Sequence, residues 1–318
     1  MFRLVKKKPV KPITLKEHYT RRNQVLIKRR VGGFGDVLMQ RMLFEDFVSQ
    51  FVDIEFTYCC PQPFLEFAKN NPYCKTKNIN EINERKYGIV YDITTACRVH
   101  ESKYGSKNTL HRSDIWAGYC GVKLRTHNMN LKANKSLVNK IKDQFTTINP
   151  ENKKIILLAA KSTKCEFGVA KSLTDQQIYE LVVELRKQNF LVISTHNETI
   201  RIFTELQVPQ FVDLDCESWL ALVDICDYVI SVDTSVFHIA GGLKKPLVGI
   251  FTFTDGKIYG KYYDFELVQK HRDNGDWDCG PCFTVGNCPK TNNYIKPCLT
   301  QIKTLEVINA LKRLHHES

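Results

Sequence analysis

Short apolar runs alternate with helical patterns along nearly the whole chain. Residues 24–28 (Gln-Val-Leu-Ile-Lys) read as the first strand, and a helical pattern follows through Val37, Leu38, Met42, Leu43 and Phe47. The runs at 54–58 and 87–92 are further strands, with a short helix at 61–68 between them and a helix at 111–121 ending in Gly121. Helical residues 137–145 precede a polar, proline-containing stretch, Asn149-Pro-Glu-Asn-Lys-Lys154. The rhythm then repeats: a strand at 155–158 and a helix after Lys171, with Thr174 as its cap and Gln177 completing a capping box. Strands at 191–195 and near 211, an amphipathic helix at 218–226 and a final one at 305–314 continue it. This alternation predicts an α/β chain with two doubly wound parallel sheets. The expected organisation is an extended basic arm at 1–23, one domain at 24–149 and a second at 150–318.

Two strand-to-helix turns carry candidate chemistry. The first is Arg29-Arg30-Val31-Gly32-Gly33-Phe34-Gly35-Asp36, a glycine turn that opens a helix and so aims free N–H groups at an anion. It holds neither the Gly-x-Gly-x-x-Gly of a nicotinamide site nor a Walker phosphate loop. Asp36 suits either a general base or a helix cap. The second turn follows the run 228–232: Asp233-Thr234-Ser235, a compact helix closed by Gly241-Gly242 and Pro246, and another apolar run to Phe251. Thr234 or Ser235 is placed to cap that helix, and His238 falls on the same face as Thr234. The residues alone allow a diphosphate site or a packing unit with a satisfied histidine.

Composition adds a charge. Lys and Arg number 46 against 34 Asp and Glu, a net +12 that favours a polyanionic partner: nucleic acid, lipid headgroups or a phosphorylated saccharide. Residues 97–112 read as a polar loop whose Arg98 and Arg112 are candidates for acceptor phosphates; Lys161 and Ser162 follow the strand at 155–158. No apolar run nears the roughly 18 residues of a spanning helix, and the basic N-terminus lacks the apolar core of a secretory signal, so the expected setting is cytoplasmic. The 12 cysteines are then thiols or metal ligands. Cys279, Cys282, Cys288 and Cys298 have the number and donor type for a closed structural zinc or iron site, unligated thiols being the alternative.

Gly35-Asp36-Val37-Leu38 resembles the opening motif of the heptosyltransferase-like glycosyltransferases (family 9, GT-B fold). Asp233-Thr-x-x-x-His238-(small)-(small)-x-x-x-x-Pro246, with an apolar strand leading to Thr254-Asp255, resembles their carboxyl-terminal signature. The resemblance implies two Rossmann-like domains with the active site in the cleft between them, and a hexosyl, pentosyl or heptosyl group transferred with inversion from a nucleoside-diphosphate sugar. Asp36 would be the base. Lys171, Asp233, Thr234, Ser235 and His238, helped by Lys161 and Ser162, would hold the donor, with no catalytic metal. Gly33, Gly35, Arg98 and Arg112 would face the acceptor. That acceptor would be a phosphate-rich, lipopolysaccharide core-type saccharide, in a bacterial cytoplasm or at the inner membrane. A phage-type transferase acting on hydroxylated or hydroxymethylated DNA bases is the first alternative. A non-catalytic basic protein that binds nucleotides or nucleic acid is the second. Three positions depart from the pattern: Leu173 replaces a usual tryptophan, Ser235 a usual glycine, and no glycine precedes Thr254-Asp255. The last helix is expected to return to the first domain, as is common in GT-B proteins.

Overall fold

Two parallel sheets carry the chain. The computed structural model describes residues 23–51, 53–162, 170–252, 254–270, 288, 291 and 297–316; most of the basic arm, together with Cys279 and Cys282, lies outside them. In the first half β1 (Gln24–Lys28), β2 (Glu55–Cys60), β3 (Lys75–Asn78) and β4 (Ile89–Asp92) pair in the order β3-β2-β1-β4. Around them lie α1 (Phe34–Gln40), α2 (Met42–Gln50), α3 (Gln62–Ala68), α4 (Ala96–Tyr104) and α5 (Arg112–Tyr119), followed by α6 (Lys135–Ile148). The second half pairs β5 (Ile155–Ala159), β6 (Leu191–His196), β7 (Gln210–Val212), β8 (Tyr228–Val232), β9 (Leu247–Phe251) and β10 (Glu266–Gln269) in the order β10-β9-β8-β5-β6-β7. Its helices are α7 (Asp175–Lys187), α8 (Arg201–Glu205), α9 (Cys216–Ile225), α10 (Ser235–Gly242), α11 (Gly256–Tyr259), α12 (Pro297–Thr300) and α13 (Thr304–His316).

The central strands of the second sheet are buried on both faces, as a parallel sheet requires. Along β5, Ile155, Leu157 and Ala159 enter one core while Ile156 and Leu158 enter the other. The first of these cores is continuous with that of the first half. The second is closed by α7 and α13, which bring Ile178, Leu181, Val307, Ile308 and Leu311. Among the described residues the last helix packs chiefly on β9, β10 and α7 of its own sheet, and its Leu314 lines a cleft with residues 126–129 of the first half. Helix α6 packs on α9, and Phe145 stacks on Phe211 at 5.4 Å, so the chain reaches the second sheet before β5 begins.

Several elements differ from the sequence pattern. Residues 97–112, expected as a loop, are mostly α4, one 3-10 turn and the start of α5. Strands β3 and β10 were not expected: Lys-Thr-Lys-Asn shows no apolar alternation, and both are sheet edges. The single helix expected from Val37 to Phe47 is two helices that meet at Arg41. The Arg41 side chain is buried and donates to four main-chain carbonyls: Met129 at 2.8 Å, Asn130 at 2.7 Å, Phe67 at 2.9 Å and Lys69 at 2.8 Å. Two of these close the end of α3, where unpaired carbonyls need donors. Burial pushes the Arg41 guanidinium down to about 10, so it stays charged at neutral pH.

Arg41→Ala strands those carbonyls together. The variant should lose about 3–5 kcal/mol of unfolding free energy, read from urea midpoints. A loss under about 1 kcal/mol would mean that water replaces the guanidinium.

Candidate active site

Each sheet changes direction at a strand that feeds one of the two turns. β1 lies between β2 and β4, and β5 lies beside β8 where the second sheet's order reverses. Crevices at such switch points, outside the carboxyl ends of the strands, are where open α/β sheets take ligands.

In the first turn, Arg29 leaves β1 and folds beneath Gly32. A Cβ at Gly32 would lie 1.5 Å from Nη2 of Arg29, and its φ of +132° also requires glycine. Arg29 donates from Nε to the Val31 carbonyl and from Nη2 to Oδ2 of Asp36 at 2.6 Å. The Gly33 N–H reaches the same oxygen at 3.2 Å, so Asp36 also caps its own helix. Oδ1 accepts from Nη1 of Arg112 at 2.6 Å. Arg112 begins α5, which is held by the His111 cap: the ring Nδ1 accepts from the Ser113 N–H, while Asp114 accepts from the His111 N–H. The Asp36 side chain is only 13% exposed, and burial alone would raise its carboxyl. The Arg112 and Arg29 guanidiniums overturn that and hold it well below the usual carboxylate range. It is ionised at every physiological pH.

In the second turn, Asp233 is buried and its Oδ2 accepts from Lys171 Nζ at 2.7 Å and from Thr254 Oγ1 at 2.9 Å. Burial pushes this carboxyl up, and Lys171 and His238 more than reverse it. Asp233 therefore sets Lys171 in place rather than touching an anion itself. Thr234 stands at the N-cap of α10, yet its hydroxyl meets Ser231 Oγ at 3.2 Å instead of capping the helix. The first-turn N–H groups of α10 thus keep their outward direction without a side-chain cap.

His238 joins the two turns. Its Nδ1 meets the Tyr263 hydroxyl at 2.9 Å, and its ring lies against Gly35: a Cβ there would sit 2.8 Å from Cδ2. The side chain is 2% exposed, and burial pushes its pKa down to about 4 against the opposing pull of Asp233 and Asp36. Three further contacts bridge the halves. Tyr259 donates to Glu101 at 3.1 Å, Tyr262 donates to Asp114 at 2.6 Å, and Lys261 pairs with Asp114 at 3.1 Å.

The structure thus brings Gly33, Gly35, Asp36, Arg112 and His238 together, and places Lys171, Asp233, Thr234 and Ser235 on the adjoining turn. Lys161 is occupied elsewhere, by Asp175 at 2.7 Å and the Leu173 carbonyl at 2.8 Å; Ser162 is tied to Ser172 and His196. Arg98 is exposed on α4. Arg29, Glu101, Tyr259 and Tyr263 belong to the site without a local sequence signal, since their partners lie 7, 11, 158 and 25 residues away. A separate cleft of about 780 Å³, lined by His127, Gly241, Lys244, Lys245, Tyr262 and Leu314 among others, opens at the carboxyl end of α10 and contains none of the expected site residues. Cys288 is buried and Cys298 half-buried; among the described residues no three His, Cys, Asp or Glu side chains are grouped to hold a metal ion.

The model of glycosyltransferase family 9 (heptosyltransferase) matches residues 119–285 of this chain. None of the curated proteins compared with the sequence matches it. Among solved structures, the glycosyl transferase family 9 protein of Veillonella parvula DSM 2008 superposes with a TM-score of 0.67 at 12% identity, covering 93% of this chain and 98% of that one. The iron-containing dodecameric glycosyltransferase TibC of enterotoxigenic E. coli gives 0.68 at 15%, covering 93% and 77%. E. coli ADP-heptose lps heptosyltransferase II gives 0.57 at 11%, covering 93% and 100%. At these identities the likeness is one of fold, GT-B.

Gly35→Ala should cost about 1–3 kcal/mol by forcing a methyl into the His238 ring, and adding His238→Ala should recover part of that loss. Purely additive losses in the double-mutant cycle would show that the two do not touch. A pH effect follows from the same histidine. Its folded pKa of about 4 lies below its unfolded value of ~6.5, so the neutral form is favoured by folding. Its contribution is complete above ~6.5 and is lost as pH falls toward 4; buried His111, pushed down to about 3, acts in the same direction. Unfolding free energy should rise from pH 4 to 6.5, and less steeply in His238→Asn. An equal slope in that variant would exclude His238 as a source.

Proposed function

The chain belongs to glycosyltransferase family 9 (heptosyltransferase), and we propose that it moves a sugar with inversion from a nucleoside-diphosphate sugar to a hydroxyl of a phosphate-rich saccharide. The observation that carries the reading is the ionised Asp36 carboxylate at the switch point of the first sheet, joined through Gly35 and His238 to the turn at the switch point of the second. In this reaction the acceptor oxygen attacks the anomeric carbon and the bond from that carbon to the diphosphate breaks. The bonding electrons leave with the nucleoside diphosphate, and the hydroxyl proton passes to Asp36. The α10 N–H groups and Lys171 would stabilise the charge that gathers on the diphosphate, from positions already fixed by Asp233 and the helix. The exposed Arg98 and the net charge of +12 favour an anionic acceptor, whereas Arg112 is held by Asp36 and Glu101. Two structural neighbours are named for ADP-heptose, one of them as an lps heptosyltransferase, which makes ADP-heptose the first donor to try and a lipopolysaccharide core-type saccharide the first acceptor. No helix among the described residues is long and apolar enough to cross a membrane.

A thermal-shift panel of ADP-, UDP-, GDP- and CMP-linked sugars tests donor binding. One nucleoside-diphosphate sugar at 100 times its Kd should stabilise the fold by about 2.7 kcal/mol, and stabilisation by none would refute donor binding. Asp36→Asn should lower kcat roughly 10²- to 10⁴-fold and leave donor affinity nearly unchanged. Turnover within about threefold of the unaltered enzyme would remove Asp36 as the base.

A further inference from the structure

Glu101 takes no part in the steps above, yet it stands at the junction of the two halves. On α4 it accepts from Nε and Nη2 of Arg112, at 2.7 and 2.8 Å, while Nη1 of the same guanidinium donates to Asp36. Across the cleft, the hydroxyl of Tyr259 on α11 donates to the Glu101 carboxylate, and the Tyr259 ring lies 5.3 Å from the Arg112 guanidinium carbon. One cation is therefore shared between two carboxylates, and one of those carboxylates is held from the second half.

That sharing bears on Asp36, whose carboxyl is held well below the usual range by Arg112 and Arg29. Around it stand Arg29 from its own turn, Arg112 from α5, Cys97 and Glu101 from α4, His238 from α10 and Tyr259 from α11. Burial keeps His238, Cys97 and Tyr259 neutral near pH 7, raising the thiol and the phenol and lowering the imidazole. The charges that set the proton affinity of Asp36 are then Arg29, Arg112 and Glu101. Loss of the Glu101 charge would leave both cations to Asp36 alone and lower its proton affinity further.

We propose that Glu101 is a positioning residue for Asp36, fixing and sharing the Arg112 guanidinium that contacts the base, and that Tyr259 ties this grip to the seating of the second half. The proposal rests on the transferase reading, so its test carries a readout that needs no turnover.

Glu101→Gln keeps the shape and removes the charge. Its kcat should fall roughly 10- to 100-fold, part of the loss expected from removing the base itself, with the donor KM within about twofold. Tyr259→Phe leaves every ion pair in place and guards against a folding defect in the first variant; its kcat should fall about three- to tenfold with the same KM split. The independent readout is the NMR signal of the Arg112 Nε–H, identified by its loss in Arg112→Lys. It should exchange slowly with solvent in the unaltered protein, faster in Tyr259→Phe, and fastest in Glu101→Gln. A signal equally protected in Glu101→Gln overturns the proposal, as does unchanged kcat, or a rise in KM that accounts for the whole loss. If the unaltered protein consumes no donor while the signal behaves as expected, the transferase reading fails and the grip on Arg112 stands.

Discussion

A carboxylate sealed between two guanidiniums constrains much of what surrounds it. Asp36 is nearly out of water, so both of its oxygens need donors, and Arg29, Gly33 and Arg112 supply them. For Arg29 to reach it, the chain after β1 must pass over a flat guanidinium, which only Gly32 permits. For Arg112 to reach it, α5 must begin at that point, and the His111 cap fixes where it begins. Arg112 then carries more charge than one carboxylate oxygen balances, and Glu101 takes up the remainder from α4. The turn after β1, α4 and α5 are thus held to one another by the pairing of two carboxylates with two guanidiniums.

The same site forms the seam between the two sheets. One hydrophobic core runs from Val25 and Phe44 through to Val229 and Phe251 without interruption, so the halves share buried surface and not only a rim of polar contacts. Within that seam Gly35 is small because the His238 ring occupies the space its Cβ would take, and His238 is held on its other side by Tyr263. The two glycine-bearing turns are in van der Waals contact through these residues. A bound donor at α10 and a bound acceptor at Asp36 would therefore influence each other through packing alone, which changes in discrete steps rather than smoothly.

The strands lining the cleft were legible because both faces of a parallel sheet are apolar, which leaves runs such as Ile155 to Ala159 plain in the sequence. The Thr174 capping box was legible for a similar reason: it is local, and its residues are spaced by the geometry of one helical turn. Edge strands β3 and β10 escaped notice because an edge faces water and need not be apolar. The break at Arg41 escaped because its cause, four carbonyls from two distant segments, has no period. In the site, Asp36, Asp233 and His238 could be picked out from the turns that bear them. Their partners could not: Glu101 looks like any surface carboxylate of a charged helix until Arg112 and Tyr259 are folded against it. The partners of Lys161 were hidden for the same reason, since a lysine beside a phosphate-binding turn and a lysine pinning the start of the next helix have the same local sequence.

Stability does not account for this network. Taking charges from water costs several kcal/mol per ion, and well-packed apolar side chains in place of a buried ionic group are often neutral or stabilising. Asp36, Arg29, Arg112 and Glu101 are all largely removed from solvent, whereas Phe34, Phe64 and Phe67 pack a few residues away with no such cost. Asp233 with Lys171 repeats the arrangement on the second sheet. In both places the ionic groups lie where the strand order reverses, whereas the buried Arg41 and Asp46 of the first half bond main-chain groups of distant segments. At the two positions where the topology leaves a crevice, charge is held in fixed directions by other charges. Under the proposed transfer, that placement would oppose a developing negative charge on one side and accept a proton on the other.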